Sequence, residues 1–330
     1  MKIFYVGHPA EDTGGDRPAR TSGRPPHPAA GSGIESSVVP KPLEKVPDSV
    51  RRATCHRGGE GGGLGLVGAR LIRHDVIMKP RIVRTHDVLR YARDVNSSEE
   101  TLDGYLNYYF VMASQDGSLP RIQLERGINA PATVHGLDGV RRPVIALRSS
   151  PWKAGHATNP WHDEFDLDRG RVRFYGDHKA TVAGPLGSTA GNKALLDAWP
   201  LYVSSSIQDR LLAPPLLLFQ SVTVERDGQS VMKGHVRFCG VGAIQRLEHV
   251  LQHDETTGRS FFNIALDVAV LDTADADDAV DMRWIDDRRN PQLDSLQANR
   301  HAPLSWSRWV RGGHDLLPSV TQSLPGRQVL

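Results

Sequence analysis

Residues 141–193 read RRPVIALRSSPWKAGHATNPWHDEFDLDRGRVRFYGDHKATVAGPLGSTAGNK. Within this stretch Gly170–Gly176 alternates. Val172 and Phe174 fall on one face, and Arg171, Arg173 and Tyr175 on the other, the period-two pattern of a strand half-buried against a core. Pro143–Leu147 is a β-branched run after a turn at Gly139 and reads as a second strand. The stretch also holds two of the six tryptophans, Trp152 and Trp161, together with Phe165, Phe174 and Tyr175. Residues 141–180 carry eight Arg or Lys against five acids. Cations neutralise phosphates and aromatic faces stack on bases, so this mixture suits a nucleic-acid surface. It equally suits a core built on Trp152 and Trp161 beneath a solvated charged face.

The strand texture continues downstream. Leu216–Val224 is apolar enough for a buried strand. Val231–Val241 and Ser260–Leu271 read as further strands, with Asp254-Glu255-Thr256-Thr257-Gly258 as a hairpin connection. Helical patches lie at about 188–199 and 205–212, and a last helix at about 303–311 ends at Gly312-Gly313. Upstream, Ser97-Ser98-Glu99-Glu100 has the form of a capping box. Leu102, Tyr105, Leu106, Tyr109 and Phe110 follow at helical spacing, which predicts a helix over 98–113 with a core-facing stripe. Strands with scattered helices and no regular βαβ alternation predict the α+β class, a twisted or barrel-like sheet flanked by helices.

Composition bounds the rest. Residues 1–77 hold 13 Gly and 8 Pro of the chain's 32 and 22, so they bury too little apolar surface to offset the entropy of ordering, and predict a disordered lead. An over-extended start codon and a genuine flexible tail both fit that lead. No run of eighteen apolar residues exists, so no transmembrane helix is expected, and no secretory signal is evident. Cys55 and Cys239 are too few for a disulfide scaffold or a cysteine zinc site and suit a reducing cytoplasm. The net charge is +2. Residues 1–77 have 11 basic and 8 acidic groups, a net +3, which leaves −1 for residues 78–330. Any binding to DNA must therefore rest on a local surface.

Several catalytic patterns can be weighed directly. Asp163, Asp166, Asp168 and Asp177 with nearby histidines invite an alternative reading, a metal or acid/base site in 156–178 acting on a small molecule or nucleotide. Glu-x-Lys and Gln-x-Lys are absent, and Asp177-His178-Lys179 is the one literal Asp-x-Lys, so a PD-(D/E)XK nuclease site is not evident. His249 and His253 have the i, i+4 spacing of a zinc pair but lie in no ββα context. Gly63–Gly68 is a literal GxGxxG, but it follows a glycine run and not a strand. No Walker A loop or GxSxG elbow is present.

PWHDEFDLDRGRVRFYGDHK (160–179), followed by the Gly-Asn-Lys-Ala-Leu-Leu run from Gly191, resembles the N-terminal recognition domain of modification-dependent restriction endonucleases of the AspBHI and MspJI type. APPLLLFQSV (213–222), KGHVRFCGVGAIQRLEHV (233–250) and RWIDDRR (283–289) extend the resemblance over roughly 80–310. It implies an SRA-like domain at 78–312, preceded by the lead and followed by a short tail at 313–330. Such domains bind duplex DNA and flip 5-methylcytosine or 5-hydroxymethylcytosine into a pocket, and a C-terminal PD-(D/E)XK domain then cuts with Mg²⁺. That nuclease domain has no counterpart here, since about 40 residues follow position 290. The resemblance thus implies no cofactor in this chain. It implies modified duplex DNA as partner, with a homo-oligomer or a separate nuclease subunit as further partners, and no membrane.

A flipped base must recover its lost stacking and hydrogen bonds. Trp161, Phe174 and Tyr175 are the candidate stacking rings. Asp177, at a Gly-Asp turn after the aromatic strand, is the first candidate acceptor for the cytosine N4 hydrogens, and Asp163 the second. Arg171, Arg173, Lys179 and Lys193 are candidate phosphate contacts, and Asn192 is either a helix cap or a phosphate contact. If Tyr175 points to DNA, the alternation puts Phe174 in the core.

Overall fold

The computed structural model describes residues 81–92, 99–114, 119–152, 163–231, 233–271 and 278–317. The lead at 1–77, Trp161 and the end of the tail from 318 lie outside the described residues. Ten strands form one mixed sheet: β1 (Val88–Arg90), β2 (Thr101–Leu102), β3 (Tyr105–Asn107), β4 (Ile128–Asn129), β5 (Ile145–Ser149), β6 (Glu164–Asp166), β7 (Arg171–Tyr175), β8 (Leu216–Ser221), β9 (His235–Asp254) and β10 (Arg259–Val270). Their helices are α1 (Tyr108–Val111), α2 (Ala190–Val203), α3 (Ile207–Leu212), α4 (Arg283–Arg289) and α5 (Leu304–Gly312). This is an α+β arrangement, as the strand pattern predicts.

The twenty-residue β9 organises the sheet. One of its edges pairs with β8, which continues in parallel to β5 and then β4. Its other edge pairs first with β1 and then, further along, with β10, which carries β7 and β6. Register shifts opposite Leu218/Phe219 and between Ile244 and Arg246 insert extra residues into β9, and such bulges bend a strand and raise its twist. Gly242 lies between them, where a Cβ would stand 2.4 Å from Val268. The sheet curves but stays open: β6 and β4, the terminal strands beyond β7 and β5, do not pair. The barrel form of the expectation is therefore not realised.

The hairpin at 254–258 is observed, with Asp254 Oδ1 accepting from Thr256 N and Thr257 N. Helix α5 ends at Gly313 with φ 69°, as the double glycine predicts. The helix predicted over 98–113 is not formed. Residues 101–107 make a hairpin in which Leu102 opposes Tyr105. Asp103 and Gly104 take φ 54° and 82°, the left-handed pair of a type I′ turn. Only Tyr108–Val111 become helical, with Asn107 as their cap.

The core joins the inner faces of β5, β7, β8, β9 and β10 to one side of α2, through Ala194, Leu195, Ala198 and Tyr202. Beneath α2, Tyr202, Trp309, Trp306 and Trp284 pack in series at centroid distances of 5.3, 4.7 and 5.3 Å. The fully buried Arg288 pins α4 to this core. Its guanidinium donates to the carbonyls of Pro143, Leu211 and Ala213 and to Asn299 Oδ1, at 2.8–3.0 Å. Among the described residues, no helix is long and apolar enough to cross a membrane.

Candidate nucleic-acid interface

β7 delivers its side chains as the alternation predicts. Val172 and Phe174 are buried in the core, while Arg171, Arg173 and Tyr175 face outward. Phe174 is 2% exposed and packs in the core, so it has no free ring face for a base. Tyr175 and Asp163 are brought together at the open seam of the sheet. Asp163 Oδ1 accepts from Tyr175 N at 3.0 Å, and its carboxylate also accepts from the Ser149 hydroxyl at the end of β5. The aspartate thus spans the gap between β5 and β7 that no ladder closes. Burial pushes the Asp163 carboxyl up to about 6, partly offset by the hydrogen bonds from Tyr175 and Ser149.

Asp177 is differently employed. Its carboxylate accepts from Gly191 N at 3.1 Å, from Asn192 N at 2.9 Å and from the Thr189 hydroxyl. It caps the first turn of α2 from a distant strand end. Asn192 returns the contact, its Oδ1 accepting from Asp177 N at 2.8 Å. Asn192 Nδ2 donates to Asn263 Oδ1, and Asn263 Nδ2 donates to Gly176 O and Gln252 Oε1. Asn192 and Asn263 are both fully buried. Asn192 therefore serves the helix junction and does not reach a phosphate. Gly176 is obligatory here, since a Cβ would meet Asn192 Oδ1 at 2.0 Å and Asn263 Oδ1 at 2.6 Å.

The candidate cations divide. Lys179 and Lys193 are exposed, and Lys193 pairs with Asp197 one turn on at 2.9 Å. Arg171 is half-buried. Arg173 is already bound: its guanidinium reaches Asp267 at 2.7 Å and Glu248 at 2.8 Å, and lies 5.7 Å from the Tyr175 ring centroid. It is not an open phosphate contact. Among the described residues, no group of three or more His, Cys, Asp or Glu is placed to hold a metal ion.

Ser149, Glu248, Asn263, Asp267 and Arg246 take part in this region without having been singled out in the sequence. A signal for two of them exists. Asn263 and Asp267 are polar interruptions, four apart, in the apolar strand Asn263–Val270, and so share a face.

Residues 137–319, 183 of the 330, match the family of the restriction endonuclease AspBHI N-terminal domain. The chain is similar to the MspJI restriction endonuclease solved in complex with a 27-mer oligonucleotide, at 54% identity and a TM-score of 0.66, over 74% of this chain and 56% of that one. The chain thus spans little more than half the length of that relative. Two other solved structures align at 18% identity. The DNA recognition domain of the cytosine modification-dependent restriction endonuclease LpnPI has a TM-score of 0.46, over 73% of this chain and 93% of its own. The DNA modification-dependent restriction endonuclease AspBHI has 0.47, over 69% and 90%. No curated protein sequence matches the chain.

Proposed function

This chain belongs to the restriction endonuclease AspBHI N-terminal family, and from that premise we propose that it is the DNA-recognition part of a modification-dependent restriction endonuclease. It binds duplex DNA and takes a flipped 5-methylcytosine or 5-hydroxymethylcytosine at the seam between β5 and β7. Identity of 54% to a restriction endonuclease solved in complex with an oligonucleotide supports DNA as the partner. Cleavage, with Mg²⁺, belongs to a nuclease domain of the kind the family carries.

The observation that supports the seam as the base site is the Asp163–Tyr175 pair. Unstacking a base costs a few kcal/mol, which the site must return through stacking and edge contacts. Tyr175 offers a ring and Asp163 a carboxyl, joined by the 3.0 Å bond to the Tyr175 amide. The cytosine edge presents the N4 hydrogens as donors and N3 as an acceptor. A carboxyl that titrates near 6 meets both, accepting from N4 and, when protonated, donating to N3. Asp163 is thus the acceptor in this reading, ahead of Asp177, whose oxygens already serve α2. Trp161 remains the candidate second ring. Lys179, Lys193 and Arg171 remain the candidate phosphate contacts.

The test is equilibrium binding to two otherwise identical duplexes, one carrying 5-methylcytosine. The reading expects preference for the modified duplex in the wild type and its loss in Asp163→Ala. Equal binding of both duplexes by the wild type would refute it.

A further inference from the structure

Three strands place charges in one row beside Tyr175. In the ladder Asp267 lies directly opposite Arg173 on β7 and Arg246 on β9, and the next row holds Tyr175, Ala265 and Glu248. The four charged side chains close a ring. Arg173 meets Asp267 at 2.7 Å and Glu248 at 2.8 Å, and Arg246 meets Asp267 at 2.6 Å and Glu248 at 3.2 Å. Two guanidinium groups and two carboxylates leave no net charge on a face whose arginines alone would attract phosphate.

The ring is graded in exposure. Arg173 and Asp267 are 15% and 12% exposed, whereas Arg246 and Glu248 are 37% and 29% exposed. The inner pair is shielded from solvent and persists. The outer pair is partly hydrated, and such pairs are weak and screened by salt. Arg246 is thus the member able to exchange a carboxylate for a phosphate oxygen, with Glu248 as its competitor.

We propose that Glu248 is a specificity-determining residue, an internal charge mask that occupies Arg246 and keeps this face from gripping DNA regardless of sequence or modification. The inference rests on the reading of the seam as a DNA site. Discrimination is a ratio of affinities, so weakening the phosphate contribution that all duplexes share leaves capture of the base to decide binding.

The test compares Glu248→Gln with Glu225→Gln, an identical charge change on the separate hairpin Val224–Val231, each in the full chain. Binding to unmodified and 5-methylcytosine duplexes is titrated in salt. E248Q is expected to bind the unmodified duplex more tightly, with a log K–log salt slope steeper by about 0.9, the value of one added phosphate contact. Its advantage over wild type should shrink about threefold from roughly 50 to roughly 200 mM salt. Arg246→Gln added to E248Q should return the slope to the wild-type value. Equal effects of E248Q and E225Q, or no change in slope, would overturn the proposal. Should E248Q melt early, Arg246→Gln alone decides: it leaves Glu248 to Arg173 and gives the ring a net negative charge, so it should weaken unmodified binding, and an unchanged affinity overturns the mask. If the wild type shows no preference for modified DNA, the reading of the seam fails. The contrast on unmodified duplex still decides the mask.

Discussion

At the level of single residues, Asp163 and Asp177 show how environment separates two identical side chains. Asp177 satisfies helix amides that would otherwise lack partners. Asp163 is held by one amide and one hydroxyl in a setting that disfavours its charge. Its folded pKa, about 6, lies above the ordinary aspartate value of 3.8. A raised folded value means that the native state binds the proton more tightly. The stabilising contribution is full below about pH 4 and is lost as pH rises through about 6. Asp163→Asn keeps the shape, an acceptor for Tyr175 N and a polar group for Ser149, and removes the buried charge. Urea melts of wild type and D163N should therefore agree in stability near pH 4 and diverge toward pH 7, with the variant ahead by about 3 kcal/mol. A stability difference independent of pH would contradict the burial of this charge. Removing the other carboxylate acts on the fold: Asp177→Ala should cost about 1–2 kcal/mol through the lost cap, read as a lower melting temperature.

At the level of elements, the sequence was most legible where pattern and packing agree. The β7 alternation shows directly as two buried and three half-buried side chains. The last helix ends at the expected glycine pair. The helix read over 98–113 failed because a two-residue turn outweighs a five-residue stripe: Asp103-Gly104 adopts left-handed angles that break any helix there. Gly104→Ala should therefore cost about 1 kcal/mol, by placing a Cβ at φ 82°. A neutral effect in thermal melts would argue against this turn. The roles of Asp177 and Arg173 were not legible for a different reason. Their partners come from elsewhere in the chain, α2 in one case and strands 75 and 94 residues away in the other, and no local spacing encodes such pairings.

Across the whole molecule, an open curved sheet is held shut by side chains and stiffened from outside. Asp163 crosses the seam, Asn192 and Asn263 tie α2 to β10, and Arg288 fastens α4 to the chain between β4 and β5 and after α3. Arg288→Met would leave several buried carbonyls without a donor, and is expected to cost roughly 3–5 kcal/mol. A variant that melts within a degree or two of wild type would show that α4 is not needed for the sheet. This scaffold holds Tyr175 and Asp163 together at the seam, and the proposed capture of an extruded base depends on that fixed geometry.

That claim is tested most directly by equilibrium binding of the chain and its Asp163→Ala variant to a pair of duplexes differing only in one 5-methylcytosine. The wild type should favour the modified duplex by about tenfold or more, and Asp163→Ala should bind both alike while keeping its folded circular dichroism spectrum. Equal wild-type affinity for the two duplexes, or a preference that survives in the alanine variant, would contradict the account.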